Sequence, residues 1–215
     1  MKIVAFVGKG GGGKSTTAAN LAVTARRLKL AVGLVDADPQ GSLCEWRQAR
    51  GVADIPLRAC RHGEMEETLR VARRAPLAWL FIDMPPELGK NTIAAVRAAD
   101  LVLLPTRPMR FDIGVTRQWV EALRSIGKPF GVVINAAPPR REGMDSPMVR
   151  DSRDCLRSIG ARLWRGQITH RHVVPHALIG GQGVADIEPE GAAAAEYGAL
   201  WKAVVHNAQT KRISA

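Results

Sequence analysis

Residues 8–16 read GKGGGGKST, with five glycines in the first six positions, then a lysine and two hydroxyl residues. So dense a glycine run suits neither helix nor strand, because glycine loses the most backbone entropy when it is ordered. The apolar run IVAFVG precedes it, and after Lys14 the residues Thr17, Leu21, Thr24 and Leu28 recur at helical spacing. Strand, glycine loop and helix are the context a phosphate-binding loop requires. Gly8, Gly13, Lys14 and Ser15 complete its G-x-x-x-x-G-K-[ST] pattern. In such a loop the backbone N–H groups of Gly10, Gly11, Gly12 and Gly13, with the positive end of the helix, hold phosphates. Lys14 is expected to reach the β- and γ-phosphates, Ser15 to ligate Mg²⁺, and Thr16 to donate near the α-phosphate. ATP and Mg²⁺ are therefore the expected cofactors. Lys9, at the mouth of the loop, lies outside the pattern.

The alternation of strand and helix continues along the chain. Apolar, β-branched runs at residues 2–8, 31–38, 77–86, 100–108 and 129–139 predict five strands, and a weaker sixth falls at 161–169. Helix-like stretches separate them, and residues 192–205 form an alanine-rich helix. Strands that are apolar along their whole length are covered on both faces. The expected fold is an α/β P-loop NTPase with a mostly parallel central sheet flanked by helices on both faces. With no linker or repeat, residues 1–215 read as a single domain. Ligands in such sheets sit at the carboxyl ends of strands. Asp36, Asp38, Asp83 and Asn135 all fall at such ends. Residues 137–154 read as a polar loop entering an arginine-rich helix near Met148.

Lys and Arg number 31 against 20 Asp and Glu, a formal charge of +11. That excess predicts attraction to a polyanion, unless the charges are scattered as solvent cover. Cys44, Cys60 and Cys155 form no C-x-x-C pair, which argues against a disulfide framework or zinc site and for a reducing, cytoplasmic setting. No apolar run is long enough to cross a bilayer, and no signal peptide precedes the first strand.

KGGGGKST, from Lys9 to Thr16, resembles the deviant Walker A motif K-G-G-x-G-K-[ST] of the ParA/MinD superfamily. In that family the early lysine reaches across a dimer interface to the partner's nucleotide. The resemblance therefore implies that role for Lys9 and an ATP-dependent homodimer. VDADPQGSLCEW resembles switch I, which implies that Asp38 orients the attacking water and that Asp36 supports the Mg²⁺ shell and Lys14. WLFIDMPP resembles Walker B running into switch II, with Asp83 holding Mg²⁺ through water. GVVINAAPP places Asn135 where the family sets an asparagine against the adenine edge, although asparagine at a strand end is also a common turn former. LPTRPMRFD resembles the proline-rich stretch that small ParF-type members use between subunits. ITHRHVVPHALIGGQGV resembles the segment that closes over the base, with Thr169 in place of the usual proline.

The whole-chain resemblance is to small, ParF-like partition ATPases. With the phosphate loop at residue 8, no N-terminal DNA-reading domain is expected. The resemblance implies a slow, partner-stimulated ATPase acting as a switch for plasmid or chromosome partition. It implies a nucleoid-associated dimer or higher-order polymer, bound nonspecifically to DNA and answering to a small centromere-binding or cargo adaptor protein. Related readings are a positioning ATPase for protein cargo and a MinD-like membrane switch. A dethiobiotin synthetase-like ligase would need a small-acid pocket that no motif marks, and an iron–sulfur reductase would need cysteines near Asp83.

Candidate DNA contacts are Arg140, Arg141, Arg150, Arg153, Arg157, Arg162, Arg165 and Arg171. Arg150, Arg153 and Arg157 share one helical face by spacing, although Asp151 and Asp154 offer intrahelical pairing instead. Tyr197, Leu200, Trp201 and Val204 form one stripe, which reads as a core-packing helix before it reads as a lipid anchor. His170, His172 and His176 lack acidic or cysteine partners at ligand spacing and read as a polar loop.

Overall fold

Each of the five strong apolar runs becomes a strand buried on both faces. The computed structural model describes residues 1–209. Its first half runs β1 (Lys2–Phe6), α1 (Lys14–Arg27), β2 (Val32–Asp36), α2 (Ser42–Arg50), β3 (Leu57–Ala59), α3 (Met65–Ala72), β4 (Trp79–Asp83) and α4 (Lys90–Ala98). Its second half runs β5 (Leu101–Thr106), α5 (Arg110–Ser125), β6 (Phe130–Ile134), α6 (Pro147–Ser158), α7 (Val173–Ile179), α8 (Val184–Ile187) and α9 (Ala192–Gln209). The sheet is parallel throughout, in the order β3-β2-β4-β1-β5-β6. Side chains alternate across it. Val4 and Phe6 of β1 enter a core shared with α1, α2 and α9. Ile3 and Ala5 enter a second core shared with α3, α4, α5 and α6.

Register does the positioning. Phe6 and Asp36 both pair with Asp83, so the two aspartates end adjacent strands at one level, beside the start of the glycine loop. The stripe Tyr197, Leu200, Trp201 and Val204 is buried on the sheet, where the Trp201 ring meets Trp79 at 4.8 Å. No described helix is long and apolar enough to cross a membrane.

Two strand expectations need correction. β3 carried no sequence signal: it is three residues long, and Arg58 and Ala59 are exposed at the sheet edge. Residues 161–169 run beside β6 but form only isolated bridges, Val132 to Leu163 and Ala137 to Thr169. Between the bridges the Arg153 guanidinium donates to the carbonyls of Trp164 (2.9 Å) and Gly166 (2.8 Å).

Candidate nucleotide site

The loop folds as its glycines dictate. Gly11 and Gly13 take φ of 73° and 97°, values that L side chains rarely adopt. A Cβ on Gly13 would lie 2.0 Å from Nδ2 of Asn135, and one on Gly12 would lie 2.8 Å from the Pro105 carbonyl oxygen. Gly13 is thus the N-cap of α1, and no side chain satisfies the first amides of that helix, which leaves them for an anion. Lys14 is 5% exposed and folds back so that Nζ lies 3.4 Å from the Lys9 carbonyl oxygen.

The carboxylates divide the work. Asp36 Oδ1 accepts from the amide of Asp38 (3.2 Å) and Oδ2 from the amide of Cys44 (2.9 Å). Asp36 therefore shapes the turn into α2 and caps an orphan amide of that helix. Asp38 is half-buried, closes a turn by accepting from the Gln40 amide at 3.0 Å, and faces the loop across the main cavity. Asp83 is fully buried, and neither carboxylate oxygen has a hydrogen-bond partner. Burial pushes its pKa up to about 7, against the pull of the Ser15 hydroxyl and the Lys14 ammonium. An orphaned carboxylate next to Ser15 fits a hydrated divalent cation. These are the residues that would hold Mg²⁺, which supplies positive charge for a phosphoryl group.

A cavity of about 850 Å³ opens in front of the loop. Gly10, Gly11, Gly13, Lys14, Ser15 and Thr16 form its floor, and Asp38 and Gln40 one wall. Leu43, Trp46, Leu178 and Ile179 add apolar surface from α2 and α7. Among the expected residues, Asn135 is not on this lining. Its Nδ2 donates to the Gly12 carbonyl at 2.8 Å, so Asn135 braces the loop from behind. Trp46, Arg107, Leu178 and Ile179 lie within the stretches matched by resemblance, but none of them was given a role of its own. Ile179 carried a faint signal as an apolar residue set before Gly180 and Gly181. Trp46 ends the quoted switch I stretch, but its hydrogen bond from Nε1 to the Gln182 carbonyl (3.1 Å) joins positions 136 residues apart and left no signal in the spacing.

Lys9 does not hang free. Its Nζ lies 2.5 Å from Oδ1 of Asp112, a largely buried carboxylate in the first turn of α5. Nearby, Met109 and Phe111 are exposed, Phe111 at 81%.

The arginine face differs from expectation. Arg153 is 4% exposed and bound to Asp145, so it is an internal brace and not a DNA contact. A single spacing rule placed it outward, whereas the polar partners of α6 lie toward residues 161–169. Arg157 pairs with Asp154 at 3.0 Å, Arg171 with Glu196 at 2.7 Å, and Arg140 with Asp145 at 2.6 Å. Arg141, Arg150, Arg162 and Arg165 are exposed.

A parallel sheet with a glycine loop and three acidic residues at its carboxyl edge defines a P-loop nucleotide-binding protein. Within that class, residues 3–160 match the CobQ/CobB/MinD/ParA nucleotide-binding domain, and the chain belongs to that family, the ParA/MinD superfamily of ATPases. Maintenance of carboxysome distribution protein A from Halothiobacillus neapolitanus is 27% identical over 87% of this chain and 88% of its own length. The protein of the same name from Gloeobacter kilaueensis is 39% identical over 66% of each chain. The cell division ATPase MinD of Pyrococcus furiosus superposes with a TM-score of 0.73 at 19% identity, covering 95% of this chain and 98% of that one.

Proposed function

We propose that the chain is an ATP-driven positioning switch whose cargo is a protein assembly. The observation that carries the cargo reading is the likeness to two relatives named for maintaining carboxysome distribution, one of them spanning 87% of this chain. Neither is named for DNA partition, so the reading first drawn from the sequence has the weaker support.

In the proposed cycle ATP occupies the loop through Lys14, Ser15, Thr16 and the amides of Gly10 to Gly13. Ser15 and Asp83 hold Mg²⁺ through oxygen and water, with Asp36 fixing the turn around them. Lys9 leaves Asp112 for the phosphates of a second copy, and a homodimer forms. Its exposed arginines hold bulk DNA as a track, through phosphate contacts without sequence preference. An adaptor protein on the cargo then stimulates hydrolysis, for which Asp38 orients the water. Asn135 steadies the loop from behind through the Gly12 carbonyl. Hydrolysis is slow until stimulated, because Asp38 is half-exposed and held in a turn of its own.

Deleting the gene in its host, then imaging large protein assemblies and counting plasmid loss in parallel, tests the cargo. Assemblies should lose their spacing while plasmid inheritance holds. Faster plasmid loss with normally spaced assemblies would return the reading to DNA partition.

A further inference from the structure

We propose that Arg107 is a ligand for the terminal phosphate, and so a residue by which this chain tells a nucleoside triphosphate from a diphosphate. This rests on the reading of the loop as an ATP site. Arg107 directly follows Thr106, the last residue of β5, which is the strand next to β1. The loop packs onto this segment: the Pro105 carbonyl closes under Gly12, and Nη2 of Arg107 lies 3.1 Å from where a Cβ on Gly11 would stand. The guanidinium therefore rests on the crown of the loop, half-buried, and lines the same cavity as Lys14 and Asp38.

Its charge is not answered within the chain. Among the described residues no carboxylate forms an ion pair with Arg107, whereas the neighbouring Lys9 is neutralised by Asp112 at 2.5 Å. A guanidinium stays ionised at any physiological pH, and a half-buried charge without a partner is disfavoured. That arrangement is stable where a ligand brings the counter-charge. The planar fork matches two oxygens of one phosphate group, a match that an ammonium cannot reproduce. Position then selects the phosphate. The first amides of α1 are free for the phosphates that ADP and ATP share, and Lys14, expected to reach the β- and γ-phosphates, brings only a point charge to the third. Arg107, displaced over Gly11, is left to meet the third.

Titration calorimetry on Arg107→Ala and Arg107→Lys decides it. The probes are Mg·ADP and a Mg-bound non-hydrolysable ATP analogue, at protein concentrations where light scattering shows a monomer. Arg107→Ala should weaken the triphosphate analogue about 10- to 100-fold and leave ADP within about twofold. Arg107→Lys should recover part of the loss, since it keeps charge but not the fork. Unchanged ADP affinity also reports an intact loop. Equal loss for both nucleotides, or loss for neither, overturns the proposal. If the wild-type chain binds neither probe, the ATP reading itself falls, a result distinct from the failure of Arg107.

Discussion

Asp83 ends β4 with no exposed surface and no hydrogen bond to either oxygen. Its pKa of about 7 arises first from burial, with Ser15 and Lys14 opposing and Asp36 and Asp38 adding repulsion. A carboxyl group with a raised folded-state pKa holds its proton more tightly when folded. Its stability contribution is therefore complete below the ordinary carboxylate range, near 4, and is lost as pH rises toward about 7. Asp83→Asn, which mimics the protonated form, should raise the melting temperature of the nucleotide-free protein at pH 8 by about 5 °C or more. The gap should narrow as pH falls toward 4, since the wild type then carries the proton itself. The same substitution should abolish Mg²⁺-dependent hydrolysis, because the orphaned carboxylate is the group that would hold the hydrated metal. A melting gain that is the same at pH 4 and pH 8 would show that the burial of charge is not its origin.

At the scale of elements, the cavity wall depends on how α2 is tied to the α7–α8 turn. Arg50 pairs with Asp54 at 2.7 Å and with Asp186 at 2.9 Å, and also donates to the Gly181 carbonyl at 2.9 Å. Gly181 has φ of 66°, and a Cβ there would come within 2.0 Å of the Arg50 amide nitrogen. Gly181→Ala should therefore cost roughly 2–4 kcal/mol, from left-handed strain plus a backbone clash. It should weaken ATP binding as well, because Trp46 moves with α2. Gly198→Ala in α9, where a Cβ meets nothing within 4 Å, should instead stabilise by roughly 0.5–1 kcal/mol. Urea denaturation of the two variants checks both signs. These ties also show why the sequence was only partly legible. The loop, the five buried strands, the carboxylates at the strand ends and the core face of α9 were readable because each is local: a motif, an apolar run or a helical stripe. Arg153 looked like a surface arginine because its partners, Asp145 and the carbonyls of Trp164 and Gly166, are set by tertiary folding. Asn135 was readable as a residue at a strand end, but its grip on the Gly12 carbonyl spans 123 residues and leaves no trace in spacing.

For the whole molecule, an excess of 11 positive charges on 215 residues and a loop-mouth lysine paired with Asp112 belong to one problem. Of the arginines proposed to meet DNA, Arg141, Arg150, Arg162 and Arg165 are exposed, while Arg157 and Arg171 are already paired within the chain. Two copies side by side double the number of phosphate contacts, and each contact steepens the dependence of DNA affinity on salt. Two triphosphates facing each other across an interface repel strongly in a low-dielectric setting unless cations sit between them. In the proposed cycle Lys9, at the loop mouth, would be that cation, and Asp112 holds it in the single copy. Lys9→Ala should bind ATP with little loss yet fail to dimerise, and it should lose DNA binding at the same step. Asp112→Asn removes the competing charge and should shift ATP-dependent dimerisation to lower protein concentration. Light scattering with a non-hydrolysable ATP analogue, followed by DNA titration at two salt concentrations, reads all of these. The wild type should bind DNA only with the triphosphate, and its affinity should fall steeply between the two salts. A Lys9→Ala protein that still dimerises and binds DNA like the wild type would leave Lys9 as a surface ion pair with Asp112 and nothing more.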